Sequence, residues 1–468
     1  MADEARNAED AGEAQAHENP ARFEVDPHFV TLVIGAAYDR DAPELRRRLK
    51  GLHPADVADV VEQLPDEALR TLFRLIGPEL PPAVLADISW EKREQVLALL
   101  PADYVGRALA ELDSDDAAAV AADIDEDQLS AVLAATPADV RLAVEENLSY
   151  EEDTAGRLVQ REFVAAGEDW TVGRAIDAMR DKAVDLPDVF FEVYVVDPLY
   201  RPVGAVQLST LLRSQREARL ADIMRPIQAL ITQEMDQEEV AFAFQKYHLA
   251  SAPVVDEGGR LRGMVTVDDI VHVIQEESQE DLLRLSGVGE TGQAETIWAS
   301  VRARTPWLMV NLLTALVASS VISAFEGSIE KLVALAVLMP IVASIGGNAG
   351  TQTLAVAVRA ISSRELTTAN ALRHILREAS TAVANGAILA TILATVAGLW
   401  FQSQGIALAI GLAVLINLTV AGLAGILVPL TLRRFGADPA VSSSVFVTFC
   451  TDCVGFLAFL GLATFILL

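Results

Sequence analysis

Ser444, Thr448 and Asp452 recur every four residues in the last stretch of the chain, SSVFVTFCTDCVGFLAFLGLATFILL (443–468). That spacing puts all three on one face of a helix. The stretch is long and apolar enough to cross a bilayer, which takes about 20 apolar residues, and Asp452 is its one charge. A carboxylate near the middle of a membrane span costs at least ~2.5 kcal/mol on insertion scales and usually faces a bundle interior or a water-filled ion or proton route. A column of two hydroxyls and a carboxylate suits a hydrated hard cation, because Mg²⁺ gives up its waters reluctantly and is held through few carboxylates. Two copies of Asp452 facing each other across a symmetry axis would repel, and a divalent ion would relieve that repulsion. The alternative is a structural pairing with another helix, for which the apolar segments offer no evident Lys or Arg.

A second constellation lies in MPIVASIGGNAGTQ (339–352). Pro340 removes a helical hydrogen bond and Gly346-Gly347 loosens the next turn, which predicts a broken or kinked span whose freed carbonyls line a cavity. Asn348, Thr351 and Gln352 add neutral oxygens beside Gly346. Gly346 and Gly350 also form a small-xxx-small pair suited to close helix packing. Cys450 and Cys453, the chain's only cysteines, form a C-x-x-C. Inside a membrane span they read as small packing residues rather than a redox or metal pair.

The elements that must position these groups are five apolar spans, at ~305–325, ~332–357, ~379–400, ~405–431 and ~443–467. Arg302 and Arg304 precede the first span. Arg359, Arg364, Arg373 and Arg377 lie between the second and third, and Arg433 and Arg434 between the fourth and fifth. The opposite loops hold only Lys331. The positive-inside rule then puts the preceding soluble part in the cytoplasm and the C-terminus outside, in a cell membrane. Five spans do not make a two-fold inverted repeat; a homodimer of ten would supply a symmetric interface for a central pore.

Charge divides the chain at the same place. Residues 301–468 hold nine Lys/Arg and six Asp/Glu, whereas the whole chain carries a net charge of −30. The acidic surface of the first 300 residues argues against nucleic acid, which needs a basic footprint, and fits either plain solubility or divalent cations, which take oxygen ligands. Residues 1–24 are acidic, lack the apolar core of a signal peptide and read as a disordered tail. Residues 25–152 read as an all-helical, solenoid-like domain with a period of roughly 20–25 residues, its turns marked by Leu-Pro or Leu-Asp. The acidic connectors Asp113, Asp115, Asp116, Asp123, Asp125, Glu126 and Asp127 are most simply helix caps and solvated faces; an interface where metal screens their repulsion is the second reading.

From 153 to 276 short β-branched runs alternate with helices. FEVYVVDPLYRPVGAVQLSTLL and SAPVVDEGGRLRGMVTVDDIVHVI, about 60 residues apart, share one plan of strand, Asp-containing turn, Gly, strand and helix. This duplication resembles a tandem pair of cystathionine-β-synthase-type (CBS) modules, 153–219 and 220–276. The resemblance implies that Thr266 and Asp269, in GMVTVDD, hold the ribose or phosphate of an adenine nucleotide; a plain helix N-cap is the alternative. The first copy, GAVQLST, lacks that Asp. Residues 277–304 form an amphipathic connecting helix, acidic at Glu277, Glu280 and Asp281, suited to act as a lever, a plug or a passive linker.

The order of acidic helical domain, CBS pair, connecting helix and five spans (305–468) carries the motifs RTPWL (304–308), MPIVASIGGNAGTQ (339–352) and TDCVGFLAFLGLA (451–463). In these the chain resembles the MgtE family of magnesium channels or transporters. The resemblance implies a multidomain membrane protein that forms a homodimeric Mg²⁺-selective pore lined by the second and fifth spans, with Asp452 as pore carboxylate. It implies a cytosolic gate closed by Mg²⁺ at acidic residues, by motif position Asp236, Glu238, Asp269, Glu277, Glu280 and Asp281, and sharpened by ATP that is not hydrolysed. Ser444 stands where a family member carries Asn, and His248 and His272 where it carries Asp. A rival reading is an adenine-nucleotide-sensing scaffold or receptor, or a carrier of another divalent cation. An enzyme is not expected: the six His are scattered, and Walker, H-E-x-x-H and nucleophile-elbow motifs are absent.

Overall fold

The computed structural model describes residues 25–181, 186–187, 189–285, 297–367, 369–439 and 443–468. The acidic tail therefore lies outside the described residues, as does the middle of the expected connecting helix. The chain forms two compact units, 1–274 and 275–468.

The first unit begins with α1 (Pro27–Tyr38) and continues as consecutive short helices to α10 (Ala138–Leu148). The starts are set by chemistry at the N-terminal turn. Asp26 and Asp41 accept hydrogen bonds from the backbone N–H of His28 and Glu44, while Pro27 and Pro54 occupy first-turn positions where no N–H is needed. Leu64, Leu100 and Ile124, each two residues before a helix start, are buried and pin those turns to the core. The last four helices, α7 (Ala102–Leu109), α8 (Ser114–Ala122), α9 (Glu126–Ala135) and α10, begin twelve residues apart. α7 packs on α9 and α8 on α10. The repeating unit is thus a helix pair of 24 residues, within the expected period. The acidic connectors behave less uniformly than a capping role requires: neither Asp113 nor Asp125 makes a side-chain capping bond, and Asp115 is buried at 8% exposure.

Two three-stranded sheets follow, with α11 (Val172–Met179), α12 (Leu208–Arg213), α13 (Leu220–Ile223) and α14 (Gln237–Tyr247) between and around them. In the first sheet β1 (Ala165–Gly167) runs parallel to β2 (Glu192–Val196), which pairs antiparallel with β3 (Pro202–Gln207). The second repeats this as β4 (Ile231–Thr232), β5 (Ser251–Val255) and β6 (Leu261–Thr266). The duplication extends to its irregularities. Val195 pairs with Gly204 and Val254 with Gly263, and each register shifts at the next residue. Tyr200 and Gly259 take the same left-handed position in the two hairpin turns. Tyr194, fully buried, joins the sheets: its hydroxyl donates to Ser251 Oγ at 2.8 Å, and Ser251 Oγ donates to Glu192 at 3.1 Å.

α15 (Val267–Leu285) leaves β6 directly and runs without a break through 276 and 277. α16 (Ile297–Ser323) likewise continues from the end of the linker into the first span. The described ends of 277–304 are therefore extensions of their neighbours rather than a separate helix. After α17 (Glu326–Lys331) come α18 (Ala334–Ser362), α19 (Ala371–Phe401), α20 (Gln404–Arg434) and α21 (Ser443–Leu467). Among the described residues, α16, α18, α19, α20 and α21 are the five helices long and apolar enough to cross a membrane. α20 is the most enclosed, packing against α18, α19 and α21.

Tyr194→Phe removes one buried hydrogen bond while leaving the ring in place. The first unit should lose about 1 kcal/mol of stability, seen as a lowered thermal midpoint of the solubilised protein.

Candidate functional site

The membrane helices meet around one polar side chain that the sequence motifs did not single out. Asn417, in the middle of α20, is 1% exposed and donates from Nδ2 to the carbonyl of Val342 in α18 at 2.9 Å. A Cβ on Gly346 would lie 2.2 Å from that nitrogen, and one on Gly455 of α21 would lie 2.7 Å from it. The two glycines are therefore the space into which the Asn417 amide fits. Gly350 serves the next turn, where a Cβ would meet Val447 of α21 at 2.4 Å. An Asn in the middle of an otherwise apolar span was the available signal for this residue.

This geometry corrects the expectation of a broken second span. α18 is helical from Ala334 to Ser362, through Pro340 and the whole glycine run. The glycines act as close-packing residues, and Gly346 faces Asn417 rather than offering its carbonyl to an ion.

With Gly346 and Gly350 turned towards α20 and α21, Gly347 opens towards Thr448, whose methyl lies 4.0 Å from where a Gly347 Cβ would be. Asn348 follows, exposed, with its carbonyl accepting from Thr351 Oγ1 at 3.0 Å. Asp452 is half-buried on α21, one turn beyond Thr448, and has no hydrogen-bond or ion-pair partner among the described residues. Ser444 is used differently. Its hydroxyl donates to the carbonyl of Leu285, the last residue of α15, at 2.8 Å.

That contact belongs to a cluster where the end of α15 docks on the membrane helices. Leu285 packs with Leu354, Val358 and Val447. Arg284 pairs with Asp438 at 2.7 Å and with Glu280. Ser362 Oγ donates to Asp281 at 3.1 Å. Burial, with Asp438 and Glu277 nearby, pushes the Asp281 carboxyl above its usual range, although the Ser362 hydrogen bond opposes the shift.

The six expected sensor carboxylates fall in three places. Asp236 and Glu238 are exposed at the start of α14, where Asp236 accepts from the Glu238 N–H at 2.8 Å. Glu277, Glu280 and Asp281 lie in the C-terminal half of α15. Asp269 is half-buried against the helical domain, within hydrogen-bond reach of Asp115 on α8. Burial and then Asp269 raise the Asp115 carboxyl well above the ordinary range; the same causes push Asp116 up to about 6, and burial also raises Asp269. Asp115 and Asp116 thus lie at an interface within the first unit rather than on a solvated face. No group of three or more His, Cys, Asp or Glu among the described residues is arranged to hold a metal ion.

Thr266 donates to Asp269 Oδ2 at 2.7 Å, so this pair occupies itself and faces α8. Neither residue lines the open cavity of about 440 Å³ between the CBS modules. That cavity is bordered instead by Gln207 and Ser209 of the first copy, with Phe190, Arg225, Tyr247 and His248. The structure thus places the Thr266–Asp269 pair outside this cavity and beside Asp115 of α8, while Gln207 and Ser209 at the first copy's corresponding turn border it.

This arrangement, a helical domain and a CBS pair joined in one chain to five membrane-length apolar helices that carry a half-buried carboxylate, is that of a membrane cation transporter. The comparisons agree. The family profile described as divalent cation transporter (MgtE) matches residues 339–462, that of the MgtE intracellular N domain 52–153, and that of the CBS domain 220–276. The magnesium transporter MgtE of Enterococcus faecalis is 34% identical over 321 residues, covering 69% of this chain and 71% of that protein. Its Thermus thermophilus counterpart is 34% identical over 335 residues, covering 70% and 73%. The crystal structure of the cytosolic domain of the Mg²⁺ channel MgtE in complex with ATP is 32% identical, with a TM-score of 0.48, covering 52% of this chain and 99% of that one. The chain belongs to the MgtE family of magnesium transporters.

Gly346→Ala should destabilise the membrane bundle by about 1–3 kcal/mol through overpacking against Asn417. Gly347→Ala, with only a methyl at van der Waals distance, should stay within about 0.5 kcal/mol of the parent. Thermal unfolding of both in detergent separates a packing glycine from an open one.

Proposed function

We propose that the chain is a homodimeric Mg²⁺ channel or transporter for Mg²⁺ uptake, with Asp452 as its selective carboxylate and the end of α15 as its gate. The observation that carries this reading is Asp452 itself, a half-buried carboxylate in an apolar helix with no hydrogen-bond or ion-pair partner among the described residues. Such a group is tolerated in a bilayer where water or a cation reaches it. Thr448 and Asn348 border the same path and hold the ion through its water shell, since one carboxylate per subunit is too few for a fully dehydrated Mg²⁺. The arginine-rich loops orient the first unit to the cytoplasm and the C-terminus outwards.

The gate reading rests on the docked end of α15. While Arg284 holds Asp438, Ser362 holds Asp281 and Leu285 holds Ser444, that helix end stays against the mouth of the α18–α21 pair. The sensor reading rests on charge crowding. Asp115, Asp116 and Asp269 repel one another at the seam between α8 and the second CBS module, and Mg²⁺ binding there favours the closed seam by relieving that repulsion. Asp236, Glu238, Glu277, Glu280 and Asp281 supply further cation contacts. For ATP, the 440 Å³ cavity offers Arg225 to phosphate and Phe190 and Tyr247 to the base. This is a binding and regulatory role without hydrolysis.

In liposomes, Asp452→Ala should abolish Mg²⁺ flux while the protein still elutes as a folded dimer; undiminished flux would overturn the assignment. The triple variant Glu277→Gln, Glu280→Gln and Asp281→Asn should shift the cytosolic-side Mg²⁺ concentration at which flux shuts off, and an unshifted threshold counts against the gate.

A further inference from the structure

The pore reading uses α18 and α21. The structure also places a polar recess on the other side of α18, against α19. It is a cavity of about 160 Å³ lined by Gln352 and Thr353 of α18, Glu378, Thr381 and Asn385 of α19, and Gly422 of α20. Such a volume admits several waters. Glu378, Thr381 and Asn385 are spaced three and then four residues apart, so they form one stripe along α19. Among the described residues, Glu378, Gln352 and Asn385 have no hydrogen-bond or ion-pair partner. Only Thr381 is satisfied, through the carbonyl of Arg377 at 3.0 Å.

The recess continues the proposed path. Gln352 lies one helical turn beyond Asn348, which follows Gly347, the glycine open to Thr448. A polar stripe on α18 therefore leads from the neighbourhood of Asp452 to the α19 carboxylate. Glu378 lies seven residues into α19, at the end bearing Arg373 and Arg377, and Asn385 lies about two turns deeper. A membrane helix facing only lipid has no use for a Glu, a Thr and an Asn on one stripe, and polar side chains in spans mark water-filled routes. Two amide oxygens, two hydroxyls and one carboxylate form a hard, all-oxygen donor set. With a single negative charge the set matches a cation that keeps its waters rather than one bound directly.

We propose that this recess is a staging site for a hydrated divalent cation, in which Glu378 supplies the charge and Gln352 and Asn385 contact the water shell, so that α19 contributes to the ion route alongside α18 and α21. The proposal rests on the transport reading. It assigns to Glu378 the capture or release of the ion and leaves selection to Asp452.

Two measurements test it. In liposomes, Glu378→Gln should raise the half-saturating Mg²⁺ concentration roughly five- to thirty-fold, the size of losing one carboxylate–cation contact in a water-filled site. Asn385→Asp, which adds a carboxylate to the recess, should lower it. Wild-type concentration dependence in both variants would overturn the proposal and leave the recess as a lipid-filled gap. Separately, Mn²⁺ bound per folded chain in detergent, counted by electron paramagnetic resonance, should fall by one in Glu378→Gln. An unchanged count overturns the site. Should the parent protein conduct no divalent cation, the transport reading fails, and the Mn²⁺ count alone decides whether the recess binds a cation.

Discussion

The close approach of three membrane helices around the Asn417 amide is the constraint on which the rest of the bundle depends. An amide in a span must find a partner within protein, because lipid offers none. Asn417 finds the Val342 carbonyl, but only because two glycines on different helices leave room for it. Once Gly346 and Gly455 are committed to that contact, the rotation of α18 and α21 is fixed. Gly350 must then face Val447, Gly347 must face Thr448, and among the described residues the side chains of Asn348 and Gln352 are left without hydrogen-bond partners. The polar character of the path follows from a packing decision made elsewhere on the same helices.

The same logic of one contact fixing several others holds where α15 reaches the membrane unit. Ser444 read in the sequence as the first oxygen of a pore column, and it does share a helix face with Thr448 and Asp452. Its hydroxyl is nevertheless taken by the carbonyl that ends α15. A helix end leaves its last carbonyls without intrahelical partners, and a hydroxyl at the start of the neighbouring helix is a natural donor for one of them. Ser444 therefore belongs as much to the docking of α15 as to the ion path.

The order of elements was legible because each class carries a different period: helical spacing with Pro and Asp stops, a duplicated strand plan, then long apolar spans. What the sequence could not settle was direction. GGNAG supports either a broken helix or close packing, and only the position of Asn417, some seventy residues away in the chain, decides for packing. Asp115 looks like any residue in a first helical turn until α8 is laid against Asp269. The Thr266–Asp269 pair has the right types for a sugar or phosphate, yet its own hydrogen bond and the cover of α8 direct attention to the less promising first copy. The Glu378 stripe was readable as spacing but had no meaning until α18 supplied Gln352 opposite it.

The duplicated hairpins have one further consequence. Two copies with the same register and the same bulge present two equivalent strand-to-helix turns, and Asp115 of α8 in the helical domain sits against Asp269 at one of them. That domain behaves as a ligand carried on the same chain. Its local concentration at the covered turn is set by the short connection through 149–164 rather than by how much protein is present. Under the proposed sensor reading, opening and closing of that seam is a unimolecular equilibrium, independent of protein concentration, and a cation moves it by its difference in affinity for the covered and uncovered states.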